Sequence, residues 1–358
     1  MNERSDREII ERNSPRVTVS NGTNLLSEAM GARALFSSDD FFAGMERLLK
    51  SEDAIFVYHR YTERGKWMDG WESRRKREEG YDWCILKLGV PGVIEVLDLD
   101  TAFFMGNHAP IASVEGCYAP ECDDTLETLT SLSWEPLLNQ SPLNRGSQNL
   151  FITGSESVYT HVRLNIFPDG GVARMRAYGT PAPMWTPSED DLRYPLVEGE
   201  VDLVALRNGG QALLCSDMFF GEQQNLIAPG RARVMGEGWE TRRSRRVGYD
   251  WILVSLGAIG TVTAAVVDTN HFKGNFPESV ELFGVYAPEA DLLTLADETT
   301  LEWLPLLDRI KVSADEERFL RSEIRSVGPI SHVKLRIYPD GGVSRLRVYG
   351  HRDTELEL

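Results

Sequence analysis

A run of six residues that returns far down the chain constrains the fold more than any other feature. Gly70-Trp71-Glu72-Ser73-Arg74-Arg75 leads on to Gly80-Tyr81-Asp82-Trp83, and Gly238-Trp239-Glu240-Thr241-Arg242-Arg243 leads on to Gly248-Tyr249-Asp250-Trp251. The offset is 239 minus 71, or 168 residues. Such a run mixes aromatic, acidic and basic groups that are costly to bury together. Its recurrence implies two copies of one module, each using the run in the same way. A chain of 358 residues has room for two such modules at ~150 residues each.

Other segments repeat in the same order. Ala34-Leu35-Phe36-Ser37-Ser38-Asp39-Asp40-Phe41-Phe42 corresponds to Ala212-Leu213-Leu214-Cys215-Ser216-Asp217-Met218-Phe219-Phe220, at an offset of 178. The first copy is therefore ten residues longer between this segment and the Trp-Glu run, and the extra residues fall somewhere in a polar insertion between Lys50 and Lys66, which includes His59. The apolar run Trp83 to Gly89 matches Trp251 to Gly257 and reads as a buried strand ending at glycine. Ile94 to Leu99, with its copy Val262 to Val267, reads as the next strand. Each leads into an Asp-Thr and then a Gly-Asn loop, Asp100 to Asn107 and Asp268 to Asn275, of the kind that carries functional groups.

Each copy closes on alternating residues around a turn. His161, Arg163 and Asn165 alternate with Val162, Leu164 and Ile166 before Pro168-Asp169-Gly170-Gly171, and the pattern recurs from His332 through Pro339-Asp340-Gly341-Gly342. Period-two alternation on both sides of such a turn predicts a half-buried hairpin. The strongest helical pattern, acidic and amphipathic, runs from Asp315 to Glu323. Short strands with close turn signals and few helices point to an all-β chain of two tandem jelly-roll β-sandwich domains related by internal repeat. The expected bounds are a mobile tail at 1–23, a first repeat at 24–180, a proline-bearing extended linker at 181–200 and a second repeat at 201–358.

Charge narrows the partners. The balance of 38 basic and 55 acidic residues gives a net charge of −17, which argues against nucleic acid or an anionic membrane as partner. No apolar stretch is long enough to span a bilayer, and the first fifteen residues lack the apolar core of a signal peptide. Cys84, Cys117, Cys122 and Cys215 show no metal or disulfide spacing. Free thiols in a reducing, cytoplasmic setting are expected.

The candidate site lies in the repeated charged groups. Arg74 and Arg75, with Arg242 and Arg243, either bind a substrate carboxylate through the guanidinium fork or form solvated charge runs and ion pairs with their neighbouring glutamates. Glu72, Asp82, Glu240 and Asp250 are the candidate acids and bases, the two aspartates being equally readable as turn caps. Asn107 and Asn275 either bond an amide or ureido group of a ligand or simply suit a left-handed turn. Asp100 and Asp268 could hold a divalent metal through oxygen, or bond their own loop backbone. No zinc spacing, phosphate loop or serine elbow occurs, so no metal site is assigned; the sequence itself requires no cofactor and leaves a divalent metal open. His161 and His332 repeat on the polar face of a strand. The four repeated tryptophans, Trp71, Trp83, Trp239 and Trp251, read as core or loop anchors.

These segments, taken together, resemble the allantoicase family from about Leu25 to Gly350. The match is carried by Gly65 to Arg77, Asp82-Trp83-Cys84-Ile85, Asp100-Thr101 through Gly106-Asn107, and the two Pro-Asp-Gly-Gly turns. The resemblance implies two galactose-binding-like jelly rolls in a homo-oligomer, and an amidinohydrolase acting on the small-molecule substrate allantoate to give ureidoglycolate and urea. One position departs. The family is associated with histidine before Asp-Trp, where this chain has Tyr81 and Tyr249. A non-catalytic tandem ligand-binding module is the rival reading, because fold alone does not give chemistry. The absence of a disulfide pattern and the repeated Trp-Glu-Arg-Arg runs favour the enzyme.

Overall fold

The computed structural model describes residues 22–183, 185–244, 248–297 and 299–356, together with the backbone of Ile9–Ile10. The chain divides into two compact units, Met1–Pro183 and Met184–Leu358. Each is built on a hydrogen-bonded array of eight strands. Two short helices, Leu126–Ser131 and Leu292–Ala296, occupy corresponding places and were not foreseen in the sequence.

One strand of 19 residues organises each unit: Asp82–Asp100 in the first and Asp250–Asp268 in the second. The two strands expected on either side of Gly89 are thus a single element. Its first half pairs with Arg33–Ser37 and with Val158–Phe167, and its second half pairs with Leu150–Ile152 and with Arg174–Pro181. The register slips between the halves, and the two sets of neighbours form the two layers of the sandwich. Gly89 sits at this crossing because another segment passes against it: a Cβ there would lie 2.4 Å from the Met30 carbonyl oxygen. Gly257 stands in the same place, 1.7 Å from the carbonyl oxygen of Asn208 on the same construction. The glycine marks a close approach of backbones rather than a strand end.

The expected closing hairpin does not form. Val158–Phe167 pairs with the long strand and with Ile111–Cys117, while Arg174–Pro181 pairs with the other half of the long strand and with Thr23–Asn24. The Pro-Asp-Gly-Gly turn carries the chain from one layer to the other, so the alternating runs it joins never meet. In the second unit Pro329–Tyr338 and Arg345–Arg352 are parted in the same way. Nor is the polar face of Val158–Phe167 open to water. His161 and Asn165 are buried alongside Val162, Leu164 and Ile166; His161 bonds Asp124, and the Asn165 amide donates to Glu115 and Ser113.

The predicted helix at 315–323 is also a strand, Glu317–Leu320, paired with the Ala265 to Asp268 end of the long strand. A local amphipathic pattern yields here to pairing with a distant strand. Residues 188–200, expected as an extended linker, pack on the second unit instead. Tyr349 donates to Asp191 (2.8 Å), Tyr194 stacks on Phe319 and donates to Glu317 (2.7 Å), and Arg321 pairs with Glu200 (2.8 Å). The tail expected at 1–23 lies outside the described residues, except for Gly-Thr at 22–23 and the pairing of Ile9–Ile10 with Phe56–Val57. All four cysteines are free thiols. No helix among the described residues is long and apolar enough to cross a membrane.

Candidate functional site

The repeated run is a two-residue strand held from both sides. Trp71–Glu72 pairs with Gly171–Val172, which is the end of the Pro-Asp-Gly-Gly turn, and Glu72 bridges to Ala43 on its other edge. Trp239–Glu240 pairs with Gly342–Val343 and bridges to Gly221. The indoles of Trp71 and Trp239 are fully buried and donate to the backbone carbonyls of Asp39 and Asp217, both at 2.9 Å. They anchor the loop that begins Ser38-Asp39 or Ser216-Asp217.

Those loops supply contacts that sequence reasoning did not assign. The Asp39 carboxylate accepts the Arg74 backbone N–H at 2.8 Å and its Nε at 2.7 Å. Burial pushes the Asp39 carboxyl up, but the bonds from Arg74 outweigh it and hold the group below its ordinary value. Asp217 likewise accepts the Arg242 backbone N–H at 2.6 Å. From the other side, Asp169 accepts the Lys76 N–H and Asp340 the Ser244 N–H, both at 2.7 Å. The only available signal was that each of these aspartates recurs in both repeats.

A second loop brings the asparagines in. Phe104 and Phe272 are fully buried, and each lies against the second glycine of the turn. A Cβ on Gly171 would sit 2.0 Å from the Phe104 ring, and one on Gly342 would sit 2.0 Å from the Phe272 ring, so no other residue fits. The residues just before, Phe103 (φ 66°) and His271 (φ 69°), hold left-handed backbone in both repeats. Strain of this kind, when it recurs, marks a loop whose shape is being enforced. The same loop then accepts the Gly171 N–H at the Asn107 carbonyl, and the Gly342 N–H at that of Asn275, both at 2.8 Å.

The outcome is a carboxyl–carboxamide pair in each repeat. Asn107 donates its side-chain amide to Glu72 at 2.7 Å, and Asn275 donates to Glu240. Burial pushes the Glu72 carboxyl above its ordinary value against the opposing effect of the Asn107 bond. Two residue types chosen separately from the sequence therefore share one site, twice over.

The other candidates are placed differently. Asp82 is buried and accepts Ser38 (2.9 Å) and Lys76 (2.6 Å), and Asp250 accepts Ser216 (2.8 Å). Arg74 is committed to Asp39 and lies over the Phe41 ring, while Arg242 lies 4.4 Å from the Phe219 ring centre. Arg75 and Arg243 are exposed, with no partner among the described residues. Arg245 lies outside the described residues. Asp100 and Asp268 accept backbone N–H groups of their own loops, from Ala102 (2.9 Å) and Asn270 (2.8 Å). Asp268 also pairs with Arg231 at 3.0 Å. No group of three or more His, Cys, Asp or Glu side chains suited to a metal ion occurs among the described residues. His161 bonds Thr160 (2.8 Å) and Asp124 (3.0 Å), and His332 bonds Ser331 (2.9 Å). Tyr81 packs 4.8 Å from the Phe167 ring, and Tyr249 packs 5.5 Å from Tyr338.

Two tandem jelly-roll sandwiches, each holding a partly or fully buried glutamate bonded to an amide donor and followed in the chain by two arginines, define a class of repeat protein with the groups for acid–base work on a small polar molecule. Comparison with known proteins gives the particular family. The sequence matches the allantoicase repeat twice, over residues 23–182 and 201–353, and the chain belongs to the allantoicase family. It is 45% identical over 329 residues to a probable allantoicase of Photobacterium profundum (92% of this chain, 96% of that one). It is 44% identical to one from Acinetobacter baumannii (92% and 93%). The crystal structure of allantoicase from Saccharomyces cerevisiae superposes with a TM-score of 0.73 at 33% identity, covering 92% of this chain and 93% of that one.

Proposed function

We propose that this protein hydrolyses allantoate to ureidoglycolate and urea, with Glu72 and Glu240 moving the proton, one in each repeat. The carrying observation is the Glu–Asn pair formed in both repeats. Allantoate bears a carboxylate and two ureido groups on one carbon. In the first step the neutral carboxyl gives its proton to the departing ureido nitrogen. The other ureido nitrogen feeds its lone pair into the carbon as the C–N bond breaks, releasing urea and leaving a C=N cation. Water then adds to that carbon and returns a proton to the glutamate. A carboxyl held above its ordinary value, as Glu72 is, suits the donating half of this cycle.

Asn107 and Asn275 are assigned to fixing the glutamate and bonding a ureido oxygen or N–H. Arg75 and Arg243, whose forks are unengaged, are better placed to take the substrate carboxylate than Arg74, which Asp39 occupies. Asp82 and Asp250 act through the loops they hold. A cytoplasmic homo-oligomer is the expected setting. The test is urea release from allantoate by the purified protein, before and after chelation of metals and again after divalent metal is restored. Equal release in all three supports acid–base chemistry by these side chains. No release in any of them, from folded protein, overturns the reading.

A further inference from the structure

In the first unit a pocket of about 380 Å³ opens between residues 40–44 and the insertion that the second repeat lacks. A small hairpin, Tyr61–Thr62 paired with Gly65–Lys66, forms one wall and carries Arg64 in its turn. Phe41, Phe42 and Trp67 supply aromatic surface. The guanidiniums of Arg47 and Arg60 lie 5.0 and 4.3 Å from the Trp67 ring centre, and that of Arg64 lies 5.2 Å from the Phe41 ring centre. Arg47 gives one N–H to Asp69 (3.1 Å) and Arg64 gives one to the Phe41 carbonyl (3.1 Å). Their remaining N–H groups, and those of Arg60, have no acceptor among the described residues. Two guanidiniums, those of Arg47 and Arg64, therefore line one pocket, and a third, that of Arg60, lies over the Trp67 ring that also lines it, in a chain of net charge −17.

We infer that this pocket is a binding site for a small molecule carrying a carboxylate and a planar amide or ureido group. The carboxylate suits the open guanidinium forks. The planar group suits the stacked ring and guanidinium faces. The N–H groups of the ligand meet acceptors in Asp40 and Glu63, which also line the pocket. The volume falls in the range of small-ligand pockets. Neither Glu72 nor Asn107 lines it, so it is distinct from the glutamate–asparagine pair. The second repeat has no equivalent: Met235 stands where Trp67 does (67 plus 168), Asn225 stands where Arg47 does (47 plus 178), and the hairpin is missing. The inference holds whether or not the hydrolytic reading does.

The test follows the Trp67 indole N–H by NMR in the full chain, its resonance assigned with Trp67→Phe. Hydantoate, which has one carboxylate and one ureido group, is titrated against wild type and an Arg60→Ala/Arg64→Ala variant; both arginines are exposed. Acetate, urea and inorganic phosphate are control titrants. The expected result is a saturable Trp67 shift with hydantoate at millimolar concentration, at least tenfold weaker in the variant, since each lost charged donor is worth about tenfold. Weaker shifts are expected from the three controls. An unmoved Trp67 resonance, an equal shift in the variant, or a phosphate response as strong as that of hydantoate would each overturn it.

Discussion

The two repeats are alike around the glutamate and unlike around its rim, and the contrast separates what the chemistry needs from what each copy has added. Both hold Glu–Asn, both clamp the arginine run between two aspartates, and both pack a phenylalanine on a diglycine. Away from these groups they diverge. In the first repeat the insertion lies against the aromatic pair, with Gly65 close against Phe42 and Arg64 over Phe41. In the second no such hairpin occurs among the described residues, and Phe219 and Phe220 are 60% and 59% exposed. The buried arginines differ as well. Both are held by backbone carbonyls, Arg174 by those of Glu52, Asp69 and Ala173 and Arg345 by those of Gly230, Asn225 and Glu237, but Arg174 also has the Asp69 carboxylate at 2.8 Å. Burial drives the Arg345 guanidinium down to about 10.

The largest stability contrast should appear at that last pair. Asp69→Ala leaves the fully buried Arg174 guanidinium with backbone carbonyls but no carboxylate and should cost about 3–5 kcal/mol. Glu237→Ala, at the corresponding position, removes a pair with the exposed Arg233 side chain and a bond from its backbone N–H, and should cost about 1 kcal/mol. Chemical denaturation of both variants checks this, and equal losses would break the comparison.

Acid should weaken the second repeat more than the first. Burial lowers His332 to about 4 from 6.5, whereas the Asp124 carboxylate beside His161 partly offsets its burial. A histidine whose folded value is depressed leaves stability intact above 6.5 and removes it as pH falls toward 4. The loss assigned to His332 is roughly 3 kcal/mol. His332→Asn should flatten the stability–pH curve in that window, read from denaturation midpoints at several pH values.

Smaller effects follow at the rim. Phe42→Ser should cost about 1–2 kcal/mol because the insertion shelters the ring. Phe220→Ser should change stability by less than about 0.5 kcal/mol, as exposed positions do. Thermal melts of the two variants decide it. Smallest is Glu72→Gln. Its raised carboxyl favours the folded state only below about 4.5, and that contribution is lost as pH rises through the raised value. At neutral pH the glutamine variant should therefore melt slightly higher than wild type, and the advantage should vanish in acid.

These contrasts also show what could be read in the sequence. Glu72, Asn107, Glu240 and Asn275 stood out as separate candidates because each recurs in both copies, but that each glutamate meets its asparagine was visible only in the fold. Two tandem β-sandwiches were legible from alternation and turns. The pairing of those strands was not. A Pro-Asp-Gly-Gly signal is local, but the partners of Val158–Phe167 and Arg174–Pro181 are chosen by the two halves of one long strand some 80 residues earlier, Asp82–Asp100. Glu317–Leu320 looked helical for the same reason, its partner lying at Ala265 to Asp268. Asp39 went unassigned because its role is to hold Trp71 and Arg74 in place, which only the folded loop reveals.

The most direct test of the shared site is the rate of urea release from allantoate by Glu72→Gln, Glu240→Gln and the double variant. Each single variant should keep the turnover of the untouched repeat, and the double variant should fall by about 100-fold or more, the usual loss of a general acid–base. Full turnover in the double variant, or its abolition by one substitution alone, would contradict two equivalent sites built on the glutamate–asparagine pair.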